Sequence, residues 1–133
     1  MKYRLLDILA CPMCRHFPLR LIVFQESTYP KREYVWGKKP ACELLCGLLN
    51  KKIEELEEEA PCEECIKREI VEGILICEAC NRWYPIKEEI PIMLPDDLRN
   101  KEEDRAFLRK HRNRIPKEVL LQGKPFNIAD EVT

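Results

Sequence analysis

Cys11-Pro12-Met13-Cys14 and Cys77-Glu78-Ala79-Cys80 are the two stretches on which the fold of this chain turns. Each Cys-x-x-Cys step is short enough to wrap two thiolates around one ion. Four thiolates complete a tetrahedral shell with no open position, the pattern of a structural zinc site. Residues 15–76 separate the steps, far more than the loop of an ordinary zinc finger. The chain therefore reads as a small metal-closed module interrupted by a long insertion. A closed shell of this kind belongs to scaffolding and not to catalysis. The same thiolates suit iron in a rubredoxin-like site, so spacing alone leaves zinc and iron open. Buried unmetallated thiols are the bland reading. A redox dithiol fits less well, because two steps occur and neither lies in a βαβ pattern.

Outward from the cysteines, Leu5, Leu6, Ile8 and Leu9 predict a short helix that delivers Cys11. Leu19-Arg20-Leu21-Ile22-Val23-Phe24 reads as a strand, rich in β-branched and aromatic residues. Gly73-Ile74-Leu75-Ile76 reads as a strand entering the second knuckle, and Trp83-Tyr84-Pro85-Ile86 as another. Ile90-Pro91-Ile92-Met93-Leu94 is a third, and Pro91, lacking an amide hydrogen, suits a sheet edge. Between the knuckles, Leu44, Leu45, Leu48, Leu49, Ile53 and Leu56 recur at three- and four-residue steps, predicting a helix over 41–58. A second, shorter helix is expected over 62–72. After Pro95, residues 96–114 read as an exposed charged helix, and Pro116 opens a last short segment ending near Gly123.

The fold class expected is α+β: a small antiparallel-sheet zinc-knuckle module with a helical insertion and a helical C-terminal tail. The knuckle domain is discontinuous, residues 1–25 plus 73–95. Residues 26–72 are expected to be mostly helical insertion, and 96–133 a helical C-terminal extension.

A second quartet, Cys42, Cys46, Cys62 and Cys65, lies inside the insertion. Helical spacing places each pair on one face. Three readings suit it: a second metal site, two disulfides, or four packed thiols. The 35% content of charged residues, rich in Lys, Glu and Arg, follows the hyperthermophile tendency, and such organisms retain intracellular disulfides.

The formal net charge of −1 argues against a dedicated nucleic-acid binder, which needs a basic excess for phosphate. Met1-Lys2-Tyr3-Arg4-Leu5-Leu6-Asp7 reaches an acidic residue before any apolar run, so no secretory leader is read. No apolar stretch is long enough to span a bilayer. The expectation is a cytoplasmic protein with no membrane partner. Four glycines leave little for a phosphate cradle, and no nucleophile–base or paired-carboxylate motif stands out. Arg105, Arg109, Lys110, His111, Arg112 and Arg114 form a basic run that could touch tRNA phosphates beside a bound partner. A solvated helix face is the simpler reading. His16 follows Cys14 closely, but four cysteines already fill a shell, so a surface or supporting role is expected.

Three blocks carry a family resemblance. They are Leu5-Leu6-Asp7-Ile8-Leu9-Ala10 with the first knuckle, Phe17-Pro18-Leu19-Arg20-Leu21, and Glu72-Gly73-Ile74-Leu75-Ile76 with the second knuckle. The third block continues through Trp83-Tyr84-Pro85-Ile86 to Glu89-Ile90-Pro91-Ile92-Met93-Leu94. Together they resemble the small zinc-knuckle activator subunit shared by several class I methyltransferases of translation, found in eukaryotes and archaea with shorter bacterial relatives. The resemblance implies zinc at Cys11, Cys14, Cys77 and Cys80. It implies a non-catalytic subunit that forms a heterodimer with an S-adenosylmethionine-dependent methyltransferase acting on tRNA, ribosomal RNA or a release factor. Such subunits extend the enzyme's sheet and cover an apolar surface on it. They hold no methyl-donor site of their own. The residues themselves fit this: Ile90, Pro91, Ile92, Met93 and Leu94 as an edge strand, with Phe17, would give a partner-binding apolar patch, and plain core packing is the alternative for each. Zinc-ribbon binding of nucleic acid and rubredoxin-like electron transfer are the alternative classes. The inner quartet and the long tail depart from the family pattern.

Overall fold

Ile74-Leu75-Ile76 forms the end of the central strand, and its alternation decides the architecture. Ile74 and Ile76 point to one side of the sheet, and Leu75 to the other. Both sides are covered, so the run is apolar throughout. The computed structural model describes residues 1–132. Its main sheet is antiparallel and four-stranded, in the order β1-β4-β5-β6. β1 is Arg20–Thr28, β4 Arg68–Ile76, β5 Trp83–Lys87 and β6 Ile90–Pro91. β1 and β4 pair from Arg20↔Ile76 to Thr28↔Arg68, with register shifts around Gln25. β4 and β5 pair across the second knuckle, Ile76 opposite Trp83.

On one side, Leu75, Cys77, Tyr84 and Ile86 pack with Tyr3, Leu6, Cys11 and Leu19. The N-terminal segment is a 3-10 turn, Tyr3–Asp7, and not a longer helix. On the other side lies the tail. α2 (Lys101–Lys110) and α3 (Lys117–Gln122) place Phe107, Leu108, Ile115, Val119 and Leu120 against Ile74, Ile76 and Trp83. The Trp83 and Phe107 rings stack with centroids 5.7 Å apart. α2 was expected to be an exposed helix, but one face of it is core: Asp104, Phe107 and Leu108 recur at helical spacing and face the sheet. Its ends follow the usual rules. The Asn100 side chain accepts a hydrogen bond from the Glu103 amide, with acidic residues in the first turn and Arg109 and Lys110 in the last.

The insertion departs most from expectation. No helix spans 41–58. That segment forms a hairpin of β2 (Leu45–Cys46) and β3 (Lys51–Lys52), then a 3-10 turn, Ile53–Glu55. The leucine periodicity is overruled by three features. The Asp7 carboxylate accepts from the amides of Glu43, Leu44 and Leu45 at 3.0, 2.8 and 2.8 Å. Amides so engaged are unavailable to a helix. Gly47 lies against the N-terminal turn, where an added Cβ would stand 2.3 Å from the Tyr3 carbonyl oxygen. Asn50 turns the chain back with φ 54°. The leucines then part company: Leu45 is buried, and Leu44 and Leu49 are exposed. The helix expected over 62–72 is one turn, α1 (Cys62–Cys65), because Arg68 onward is recruited to the sheet by β1. The insertion is therefore not mostly helical: residues 26–28 and 68–72 are sheet.

Among the described residues, no helix is long and apolar enough to cross a membrane.

Candidate metal centre

The two knuckles are copies of one turn. Cys11 N–H donates to the His16 carbonyl at 3.0 Å, and Arg15 N–H returns to the Cys11 carbonyl at 2.8 Å. Cys77 N–H donates to the Arg82 carbonyl at 2.8 Å, and Asn81 N–H returns to the Cys77 carbonyl at 2.9 Å. The residue after each second cysteine is left-handed, Arg15 at φ 65° and Asn81 at φ 63°. That reversal folds the second sulfur back toward the first. Within each turn the first sulfur also accepts backbone amides, Met13 and Cys14 for Cys11, and Ala79 and Cys80 for Cys77.

The four sulfurs converge. Cys11 Sγ lies 3.7 Å from Cys80 Sγ, and Cys14 Sγ 3.5 Å from Cys77 Sγ, with all four within 4.8 Å of one another. With metal–sulfur bonds of about 2.3 Å, a regular tetrahedron has edges of about 3.8 Å, so the quartet fits a four-coordinate ion. Cys11 and Cys77 are buried, Cys80 is half-buried and Cys14 faces solvent.

The surroundings favour thiolate at Cys11. Burial opposes ionisation of Cys11, yet the Tyr84 hydroxyl 3.1 Å away and the knuckle amides bring its pKa down to about 6. Burial, with the bonds to Cys14 and Cys80, pushes the Cys77 thiol up to about 12. The Arg82 guanidinium reaches Cys80 and is held by Asp96 through two bonds of 2.9 and 2.7 Å. A tetrathiolate around a divalent ion carries two net negative charges, and Arg82 offsets part of them. Soft thiolate donors in a closed tetrahedron suit zinc or iron and leave no position for substrate.

Tyr84, Arg82 and Asp96 were not singled out in the sequence. Arg82 had a signal, two residues beyond the second knuckle. Tyr84 had one in strand alternation, two positions beyond Arg82 on β5. Asp96 had none, since it arrives from beyond Pro95.

The other candidates distribute as follows. His16 is exposed, outside the sulfur cluster, and serves through its carbonyl. Phe17 and Met93 both pack against the knuckle-side core. Ile90 and Ile92 line a groove with Phe107 of α2 and His111 just beyond it, on the opposite side of the sheet. Ile90 is 60% exposed and Leu94 38%. Pro91 is opposite Ile86, and the ladder continues with Ile92 N–H to the Pro85 carbonyl at 2.9 Å. β6 is thus the outermost strand. The basic run of the tail is largely engaged within the chain: Arg105 and Arg109 pair with Glu131, Lys110 and His111 face Glu72, and Arg114 donates to the Val23 and Phe24 carbonyls.

A family model described as Trm112p-like protein matches residues 2–89, ending in the turn before β6. No curated protein and no solved structure matches the chain.

Proposed function

This chain belongs to the Trm112p-like family of methyltransferase activators, and on that premise we propose that it is the non-catalytic, zinc-stabilised half of a heterodimer with a class I S-adenosylmethionine-dependent methyltransferase. Cys11, Cys14, Cys77 and Cys80 hold the zinc. The enzyme partner modifies tRNA, ribosomal RNA or a release factor, in the cytoplasm. Phe17, Ile90, Pro91, Ile92, Met93 and Leu94 supply the contact. The knuckle module, residues 1–25 with 73–95, is the docking unit, and the insertion and tail are additions to it.

The observation that carries this reading is the open sheet edge. β6 ends the strand order, so the backbone groups on its outer side have no neighbour within the sheet. An unpaired edge flanked by exposed apolar residues favours addition of a partner's strand. Ile90 and Leu94 are exposed there, and Pro91 limits self-pairing because it cannot donate. The zinc's task is to fix the β4–β5 turn to the N-terminal knuckle, so that the edge is presented rigidly. Activation then follows as a population shift: the enzyme's competent state is the one that binds the edge.

Co-expression with the methyltransferases of the same genome tests this. At least one should co-purify and gain solubility or activity. Ile90→Lys should abolish the complex with metal content and melting temperature unchanged, because Ile90 is already in solvent. Met93→Lys is the contrast: it should also lower stability, since Met93 packs on the core. If no methyltransferase co-purifies or responds, the reading fails.

A further inference from the structure

Half of the cysteines lie outside the knuckles. Cys42 and Cys46 are separated by three residues, Cys62 and Cys65 by two, and residues 47–61 join the pairs. A short step, an arm of about 15–20 residues and a second short step is the pattern of a zinc ribbon. The arm folds accordingly. Cys46 ends β2, the arm returns as β3, and α1 delivers the second pair.

All four thiols reach one neighbourhood. Cys65 feels the charge of Cys46, Cys42 and Cys62, and Cys42 feels Cys46 and Cys62. The two arms are tied beside them by Lys39 and Glu63, at 2.5 Å. No disulfide links them. Among the described residues only the knuckle quartet is gathered to ligand distance, so the inner four are near one another but not closed. Burial leaves the Cys42 thiol at about 11 and the Cys65 thiol at about 12.

A second observation points the same way. Arg4 Nε is a buried donor without an acceptor. Its charge reaches Cys42. A tetrathiolate holding a divalent ion needs both a nearby cation and N–H donors, and Arg4 offers them. The insertion also needs a staple. Between β1 and β4 its regular structure is two strands of two residues, a 3-10 turn and one turn of helix, too little to hold itself.

We propose that Cys42, Cys46, Cys62 and Cys65 form a second tetrathiolate site, for zinc, which closes the insertion onto the N-terminal turn. Binding draws the Cys42–Cys46 turn and α1 together and releases the protons of the thiols. The site is structural and stands apart from methyltransferase docking.

Cobalt substitution of the full chain tests this. Two equivalents of Co²⁺ should bind, both with thiolate-to-cobalt absorption. The Cys42→Ser/Cys62→Ser double variant should keep one equivalent with the knuckle's absorption unchanged. Native mass spectrometry of the wild-type protein gives the same reading if that variant does not fold: two zinc ions per chain are expected. One ion per chain with four thiols open to native alkylation overturns the proposal in favour of packed thiols. One ion with four thiols blocked until reduction overturns it in favour of two disulfides. Two ions of iron, seen as visible colour in the protein as purified, overturn the assignment to zinc.

Discussion

The two quartets of cysteine have the same chemistry and nearly the same step lengths, yet the chain treats them differently. At the knuckles, each step ends in a left-handed residue, and the backbone pairs across it. Amides of the turn point at the first sulfur. The sulfurs converge within 4.8 Å of one another. In the insertion, the amides of the Cys42–Cys46 step point at Asp7 and not at sulfur. Cys62 and Cys65 are carried by a helical turn, which sets them on one face without turning them toward a partner. Spacing gives reach, and the backbone turn gives aim. The outer quartet is preorganised to ligand distance by its turns, and the inner quartet is not gathered to it.

The largest effect should come from breaking the preorganised member. Cys77→Ser removes a buried ligand at the junction of β4 and β5. Structural zinc in small modules contributes roughly 10 kcal/mol or more of binding free energy to folding, so loss of the ion should cost at least about 5 kcal/mol. Denaturant unfolding followed by circular dichroism should show the sheet unfolded or barely stable. Cys62→Ser should leave that transition in place and loosen only the insertion, seen as faster amide exchange over residues 29–66. Equal losses in the two variants would end the distinction between the quartets.

A middle-sized effect probes the seam between the two regions. Glu69 is buried on β4 and gathers the Met1 amine at 2.9 Å, Arg32 of the insertion at 2.8 Å and Lys2 at 3.6 Å. Burial alone would raise its pKa, but the bonds to the amine and Arg32 overcome this and hold it below the ordinary carboxylate range. Asp7 is likewise held low: the amides of Glu43, Leu45 and Leu44 outweigh burial. A depressed carboxylate pKa gives stability that is complete above the unfolded-state pKa and is lost as pH falls through the folded one. Glu69→Gln leaves a buried cation unpaired and should cost about 3 kcal/mol at neutral pH. Acid also protonates the thiolates and releases metal, so the measurement is the difference between wild-type and variant unfolding curves. That difference should be constant above about pH 5 and shrink below it. A difference that persists to low pH would mean that shape, and not charge, sets the cost.

The comparison also shows which kinds of structure the sequence exposes. Cys11, Cys14, Cys77 and Cys80 were legible because ligand spacing is a local constraint. The knuckle end of β4 and most of β5 were legible because Gly73-Ile74-Leu75-Ile76 and Trp83-Tyr84-Pro85-Ile86 are apolar runs flanking the knuckle. The insertion was misread because its leucines satisfy a helical period, while Asp7, more than 35 residues away in sequence, captures the amides a helix would need. α2 was misread in the opposite sense. Its charges drew attention, and the stripe of Asp104, Phe107 and Leu108 marked a buried face. Arg99 explains why an aspartate belongs there: it pairs with Asp104 at 2.8 Å and donates to the Trp83 carbonyl at 2.7 Å, all within the core. The Asp7 bonds cross a long sequence separation, and no window of sequence contains them.

The smallest effect sharpens the knuckle itself. Arg15 and Asn81 occupy equivalent left-handed positions, at φ 65° and 63°. The conformation costs an ordinary L-residue about 1–2 kcal/mol, and asparagine less, because its short side chain tolerates it. Glycine removes that strain but adds about 0.5–1 kcal/mol of unfolded-state freedom. The balance differs at the two sites. Arg15→Gly should stabilise by about 0.5 kcal/mol, since the strain relieved exceeds the entropy added. Asn81→Gly should be neutral or slightly destabilising, since asparagine has little strain to relieve. Arg15 also lies in solvent, so no packing is lost with its side chain. The measurement is the denaturation midpoint of each variant with metal bound. Opposite signs would show that the two turns share one geometry and differ only in how well their residues suit it. A loss at Arg15 would mean that its side chain helps hold the first knuckle, and the equivalence of the two turns would then stop at the backbone.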